Sequence, residues 1–101
     1  MFNNIKRKME TKKTLKKLDM INVRYAKCLN RYLDCVLDGE PIDYYETIRE
    51  MLNIRDGYGC IYCILYFYED SKFDEDIDII EDRYNNLETM IDDLFKRWKQ
   101  A

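Results

Sequence analysis

The fold is decided by residues 73–98, which read FDEDIDIIEDRYNNLETMIDDLFKRW. Large apolar side chains recur in this stretch at alternating steps of four and three residues, which places them along one side of an α-helix. A stripe about seven turns long needs an apolar partner surface, because its exposure to water is unfavourable. The stripe consists of Phe73, Ile77, Ile80, Tyr84, Leu87, Ile91, Leu94 and Trp98.

A second stripe with the same spacing runs from about residue 11 to residue 37 and predicts another long helix. Gly39 and Pro41 end this helix, because glycine suits the left-handed cap and proline cannot continue the hydrogen-bond ladder. The stripe consists of Thr14, Leu18, Ile21, Tyr25, Cys28, Tyr32 and Cys35.

Two shorter helices are predicted between the long ones. The first of them has two competing start signals: Pro41, which suits the first turn of a helix, and Asp43 with Glu46, which have the spacing of a capping box. Gly57 is expected to end this helix. Residues 58–68 form an unbroken apolar run that periodicity alone cannot assign to a strand or a helix. No convincing second strand is present to pair with this run, so a helix is the preferred interpretation. Ser71 with Asp74 then has the spacing of an N-cap for the last helix.

These patterns predict an all-α protein, a small four-helix bundle with helices at about 11–37, 41–55, 58–70 and 72–99. Residues 1–9 are interpreted as a basic frayed leader and residues 10–101 as a single helical domain. The first and last helices should lie side by side, because their apolar stripes are similar in length. A homodimer is one way to cover the apolar run at 58–68.

The net charge of −3 conceals a division between the two parts of the chain. Residues 1–32 carry ten Lys or Arg against two acids, whereas the remaining residues carry seven against eighteen. One interpretation is internal, with the basic helix packed antiparallel to the acidic one so that the fields largely cancel. The other is that one pole binds a charged partner.

The composition argues against an enzyme and against a bound metal or cofactor. The chain contains no histidine, which removes the commonest acid–base residue and the histidine-dependent nucleophiles. Cys60 and Cys63 have the form of a metal or redox motif, but Cys28 and Cys35 would lie about 10.5 Å apart along a helix, too far for one tetrahedral ion. The four cysteines are therefore expected to be free thiols in the cytoplasm. No apolar run is long enough to span a membrane.

Two groups of side chains are predicted to bind a protein partner. Carboxylates in the first half of the last helix either form a solvated face or present phosphate-like charge to a basic partner. Tyrosines at i, i+4 and i+8 stack on one helix face, and tyrosine is favoured at interfaces. The predicted partner-binding residues are Asp74, Asp76, Asp78, Glu81, Asp82, Tyr58, Tyr62 and Tyr66.

The function expected from these features is that of a small, non-enzymatic regulator or inhibitor that binds another macromolecule. The richness in Asn, Lys, Asp, Ile and Tyr is typical of AT-rich genomes and suggests a virus, phage or mobile element as the source. The alternative is a nucleic-acid-binding protein that contacts phosphates through the basic N-terminal helix. The residues that would do so are Lys12, Lys13, Lys16 and Lys17.

Overall fold

The computed structural model describes residues 2–101, and their side chains from residue 5 onward. Over these residues the chain forms three α-helices, α1 (Phe2–Asp38), α2 (Tyr44–Phe67) and α3 (Asp74–Gln100), and no strand. A short 3₁₀ turn, Ser71–Phe73, precedes α3. The all-α prediction is confirmed, whereas the prediction of four helices is wrong. The first residue of the predicted leader, Met1, lies outside the described residues.

The two short helices predicted at 41–55 and 58–70 are one continuous helix, α2. Gly57 does not end it, because α1 packs closely against this position: a Cβ at Gly57 would lie 2.6 Å from the Cδ1 atom of Ile21. Glycine here leaves room for the tip of the Ile21 side chain, and the burial of Tyr58 and Ile61 outweighs its cost of about 1 kcal/mol to helix stability. The helical interpretation of residues 58–67 is therefore correct, and the predicted break before them is not.

Local signals fix the ends of the helices. Gly39 adopts φ = 69° just after α1, the left-handed conformation that glycine tolerates best. The Asp43 side chain accepts a hydrogen bond from the backbone N–H of Glu46 at 3.1 Å, so this signal, not Pro41, begins α2. Ser71 is not the cap predicted for the last helix, since Asp70 accepts from the N–H of Lys72 and begins the 3₁₀ turn instead.

The short connections make α1 antiparallel to α2 and α2 antiparallel to α3, so α1 and α3 run parallel to each other. Side-chain hydrogen bonds join Asn22 to Arg83, Tyr25 to Asn86 and Tyr32 to Asp93, each pair 61 residues apart. The first and last helices do lie side by side, but the antiparallel packing expected between them is wrong. In a chain of helices that alternate in direction, the third runs parallel to the first, whereas a fourth would run antiparallel to it.

Both predicted stripes form the core. Most of their members are buried, and Trp98 at the end of α3 is the most exposed, at 42%. Tyr58 of α2 is fully buried in the middle of the bundle, with its ring edge-on to that of Tyr25 at 5.9 Å between centroids. The Tyr58 hydroxyl donates to Oδ1 of Asn22 at 2.7 Å, and Arg83 donates to the same oxygen at 2.6 Å. One amide oxygen thus joins all three helices.

The bundle is a rod of 58 × 19 × 17 Å. At the end that carries the α1–α2 connection, Trp98 stacks on Tyr44 with 6.2 Å between ring centroids. At the other end, Arg7 lies over the ring of Tyr68 and the Tyr68 hydroxyl donates to Glu10. In the described part of the chain, no helix combines the length and the apolar character needed to cross a membrane.

Two glycine substitutions test whether α2 is continuous. A Cβ at Gly59 would meet Tyr84 at an ordinary 3.5 Å, so Gly59→Ala should raise the free energy of unfolding by about 0.4–1 kcal/mol through better helix propensity. Gly39→Ala should lower it by about 1–2 kcal/mol, because φ at this position is +69°. Urea denaturation followed by circular dichroism measures both. A loss of stability in Gly59→Ala comparable to that in Gly39→Ala would contradict a helix through this position.

Candidate interaction surface

The side of α2 that faces away from α1 and α3 carries no charge over residues 57–68. We call its exposed members, Cys60, Cys63, Ile64, Tyr66 and Phe67, the α2 outer face. Phe67 is 80% exposed, Tyr66 63% and Ile64 39%. Contiguous exposed apolar groups are uncommon on monomeric proteins and mark sites of interaction.

Basic side chains of α1 border the α2 outer face on one side. Lys13 and Lys17 share a shallow depression with Cys63, Ile64 and Phe67. Both lysines are exposed, and neither takes part in an ion pair among the side chains of residues 5–101. Glu10, which accepts a hydrogen bond from Tyr68, lines the same depression, so this edge carries two cations and one acid.

An acidic groove borders the α2 outer face on the other side, between α2 and α3. The groove has a volume of about 310 Å³ and is mostly apolar, with Glu81 as its charged member. Cys63 lines both this groove and the lysine-bordered depression, so it marks the middle of the surface. The residues lining the groove are Gly59, Tyr62, Cys63, Ile80, Glu81 and Tyr84.

The three predicted partner-binding tyrosines do not form one exposed face. Four residues correspond to about 400° of helix rotation, so each step from Tyr58 to Tyr62 to Tyr66 turns by about 40°. Tyr58 consequently lies fully in the core, Tyr62 is half-buried, and Tyr66 is exposed. Tyr58 is therefore removed from the predicted surface, whereas the Tyr62 and Tyr66 rings stack at its edge, 5.8 Å apart.

The five predicted acids are also divided among different directions. Glu81 reaches the groove, and Asp74, one heptad earlier on α3, lies on the same side. Asp78 and Asp82 are exposed, and the helical period turns them away from the core; Asp76 is half-buried. None of the five joins an ion pair within the described side chains. The structure thus brings one or two of these acids next to the tyrosines and leaves the others on the solvent side of α3.

The four predicted lysines are all exposed, but they point to different neighbours. Lys13 and Lys17 lie beside α2, whereas Lys12 shares a depression with Lys72 and Phe73 on the other side of α1. Lys13 and Lys17 begin a basic stripe that continues to Arg24 and Arg31 at helical spacing.

Sequence reasoning missed a basic cleft between α1 and α2. Arg24, Lys27 and Arg31 of α1 face Arg49 of α2 across a cleft of about 270 Å³. Arg24 Nε donates to Glu50 at 2.7 Å, and this hydrogen bond holds the pKa of Glu50 below its usual value. The cations at positions 17, 24 and 31 recur every seven residues, so the sequence could have indicated the basic edge of α1. The position of Arg49 of α2 opposite this edge depends on how the two helices pack and has no signal in the sequence.

The cysteines do not gather into one site. Cys60 and Cys63 are exposed on α2, whereas Cys28 is buried between α1 and α2. Burial raises the pKa of the Cys28 thiol to about 11. No group of three or more metal-ligating side chains comes together in the described part of the chain.

Comparisons with known proteins add no family to this description. Neither a family model, nor a curated protein, nor a solved structure matches the chain. The candidate surface therefore rests on the geometry and chemistry of its residues.

Thiol labelling tests the placement of the cysteines. At pH 8 and under native conditions, a maleimide should modify Cys60 and Cys63 within minutes and leave Cys28 intact, because the Cys28 thiol is buried and protonated. Mass spectrometry of peptides gives the site of modification. Unfolding in urea should expose Cys28 to the reagent, and equal native reactivity of all three would contradict the packing of α1 on α2.

Proposed function

We propose that this chain is a small, non-enzymatic interaction protein, a regulator or inhibitor that binds a macromolecular partner through the α2 outer face and its acidic border. The observation that supports this proposal is the exposure of Phe67 and Tyr66 within an uncharged helix face. Because helices on a protein surface normally present charged residues to solvent, a face without them is suited to burial in a complex.

The aromatic residues would supply most of the binding energy. Burying a large apolar side chain is worth roughly 1.5–3 kcal/mol, and a tyrosine at the rim keeps its hydroxyl available to water. Binding energy in such interfaces concentrates in a few central side chains. Phe67 and Tyr66, the most exposed aromatic residues on the face, are the proposed anchors.

The acids of α3 would select the partner. Asp74, Asp78, Glu81 and Asp82 are exposed and are not compensated by ion pairs within the described side chains. Such charges attract a basic surface, raise the association rate and orient the encounter. The proposed mechanism is steric occlusion of a basic site on the partner, as a decoy for nucleic acid would achieve it.

A matched pair of variants tests this function. The double variant Tyr66→Ala, Phe67→Ser should fold normally, because both side chains are exposed, and should lose the partner by at least tenfold in affinity. The control is Tyr45→Ala, which removes an aromatic ring that is 59% exposed near the start of α2, away from the proposed surface.

The measurement is affinity capture from the native host, quantified by mass spectrometry, and then titration of the purified partner. A protein retained by wild type and by Tyr45→Ala, but lost by the double variant, would support the proposal. A partner retained equally by all three would overturn the assignment of the α2 outer face.

Nucleic-acid binding is the second candidate, and the basic stripe on α1 favours it. Lys13 and Lys17 lead at helical spacing to Arg24 and Arg31, about 27 Å of helix from Lys13 to Arg31. Cations along one helix edge can follow a phosphate backbone and would give salt-dependent affinity.

A gel-shift series at increasing salt tests this candidate. Replacing Lys12, Lys13, Lys16 and Lys17 with glutamine should abolish a specific shift and flatten the dependence of log K on log salt. The control replaces Lys96 and Lys99, at the other end of the bundle. Equal loss in the control, or no shift for wild type at low salt, would exclude this function.

A further inference from the structure

We propose that the α2 outer face binds a second copy of this chain, in a parallel dimer whose two-fold axis runs along α2. This inference names one partner for the surface described above and rests on the proposal that this surface is an interaction site. In such a dimer the exposed apolar groups of the two α2 helices cover each other.

The exposed side of α2 carries a line of residues along which a second helix could pack. Cys60, Cys63 and Phe67 follow each other at steps of three and four residues and are all exposed; Asp56, four residues earlier on the same line, is paired with the neighbouring Arg55 at 3.2 Å. That is the spacing with which two helices pack along a common line. Within the described structure this line is open to solvent, whereas the opposite side of α2 packs on α1 and α3.

Charge selects the second copy as the occupant. The α2 outer face has Lys13 and Lys17 with Glu10 on one border, a net positive charge, and Glu81 on the other, so its two borders are complementary to each other. A two-fold axis parallel to α2 places the α1 border of one copy against the α3 border of the other, on both sides of the interface. An axis perpendicular to α2 would instead place lysines against lysines and acids against acids.

The levels of the charges along the rod also agree. Because α1 and α3 run parallel with contacts between residues 61 apart, Lys13 lies at the level of Asp74, and Lys17 lies within about 4.5 Å, less than one turn, of the level of Glu81. An axis parallel to α2 preserves these levels, so each lysine meets an acid of the second copy within one helical turn of its own level. Such matched pairs contribute mainly to orientation and specificity.

The first experiment measures mass by sedimentation equilibrium between about 1 μM and 1 mM at low ionic strength. Wild type should dimerise in this range, and Phe67→Ser should raise the dimer dissociation constant at least tenfold. Lys17→Glu and Glu81→Lys should each raise it about tenfold, and the two together in one chain should restore it. A monomeric wild type throughout the range, or no restoration by the double variant, would overturn the proposal.

The second experiment fixes the direction of the helices by oxidation of thiols to a direct intermolecular disulfide, with no spacer between the two sulfur atoms. The background is Cys35→Ser with Cys60→Ser; one variant keeps Cys63, and the other carries Cys63→Ser with Asp56→Cys. In a parallel dimer each variant cross-links to itself. With a perpendicular axis, two positions seven residues, about 10.5 Å, apart along α2 cannot both pair with their own copies, because the copies of at least one position lie about 10.5 Å or more apart along the helix, whereas a disulfide needs Cα atoms within about 7 Å. Self-cross-linking at only one of them would therefore overturn the parallel arrangement.

These outcomes separate the dimer from the proposed function. A monomer that still captures a partner through Tyr66 and Phe67 would overturn the dimer alone. A dimer that forms as described, with no other protein captured at any concentration, would support this inference and overturn the proposed function as a regulator or inhibitor of another macromolecule.

Discussion

The side-chain amide of Asn22 accepts hydrogen bonds from Tyr58 and Arg83, and this shared acceptor ties α1, α2 and α3 at one level of the bundle. The Arg83 guanidinium also lies 5.0 Å from the ring centroid of Tyr25, so this half-buried charged group has both a polar and an aromatic partner. A buried polar group is costly without its partners, so a sliding of α1 relative to α3 would leave Tyr58 and Arg83 unpaired. This constraint therefore fixes the levels of the three helices relative to one another, and the positions of the lysines of α1 and the acids of α3 beside α2 depend on those levels.

The sequence predicts the two long helices well, because each carries its apolar residues at a regular spacing that reports on one buried side. It fails at Gly57, where the local cost of glycine in a helix is known but the close approach of Ile21 is not. That single misplaced break changes the number of helices from three to four, and with it the relative direction of the first and last. The partnership of Asn22 with Arg83 links residues 61 apart and carries no local signal at all.

Several residues of the candidate surface could be predicted from the sequence, but their positions relative to one another could not. Tyr66, Glu81 and Lys17 each stood out from the sequence, although as members of three separate groups. The structure places α2 between the lysines of α1 and the acids of α3, with Cys63 in contact with both borders. The division of charge along the chain therefore becomes a division across the width of the rod, because the parallel direction of α1 and α3 brings both extremes to the same end.

The stacking of Trp98 on Tyr44 has a spectroscopic consequence. Trp98 is the single tryptophan of the chain, so the intrinsic emission of the protein above the tyrosine band originates from one place. That place lies about 25 Å along α3 from Glu81, at the opposite end of the rod from the α2 outer face. The emission maximum therefore reports the packing and fraying of the last turns of α3 at this end of the rod.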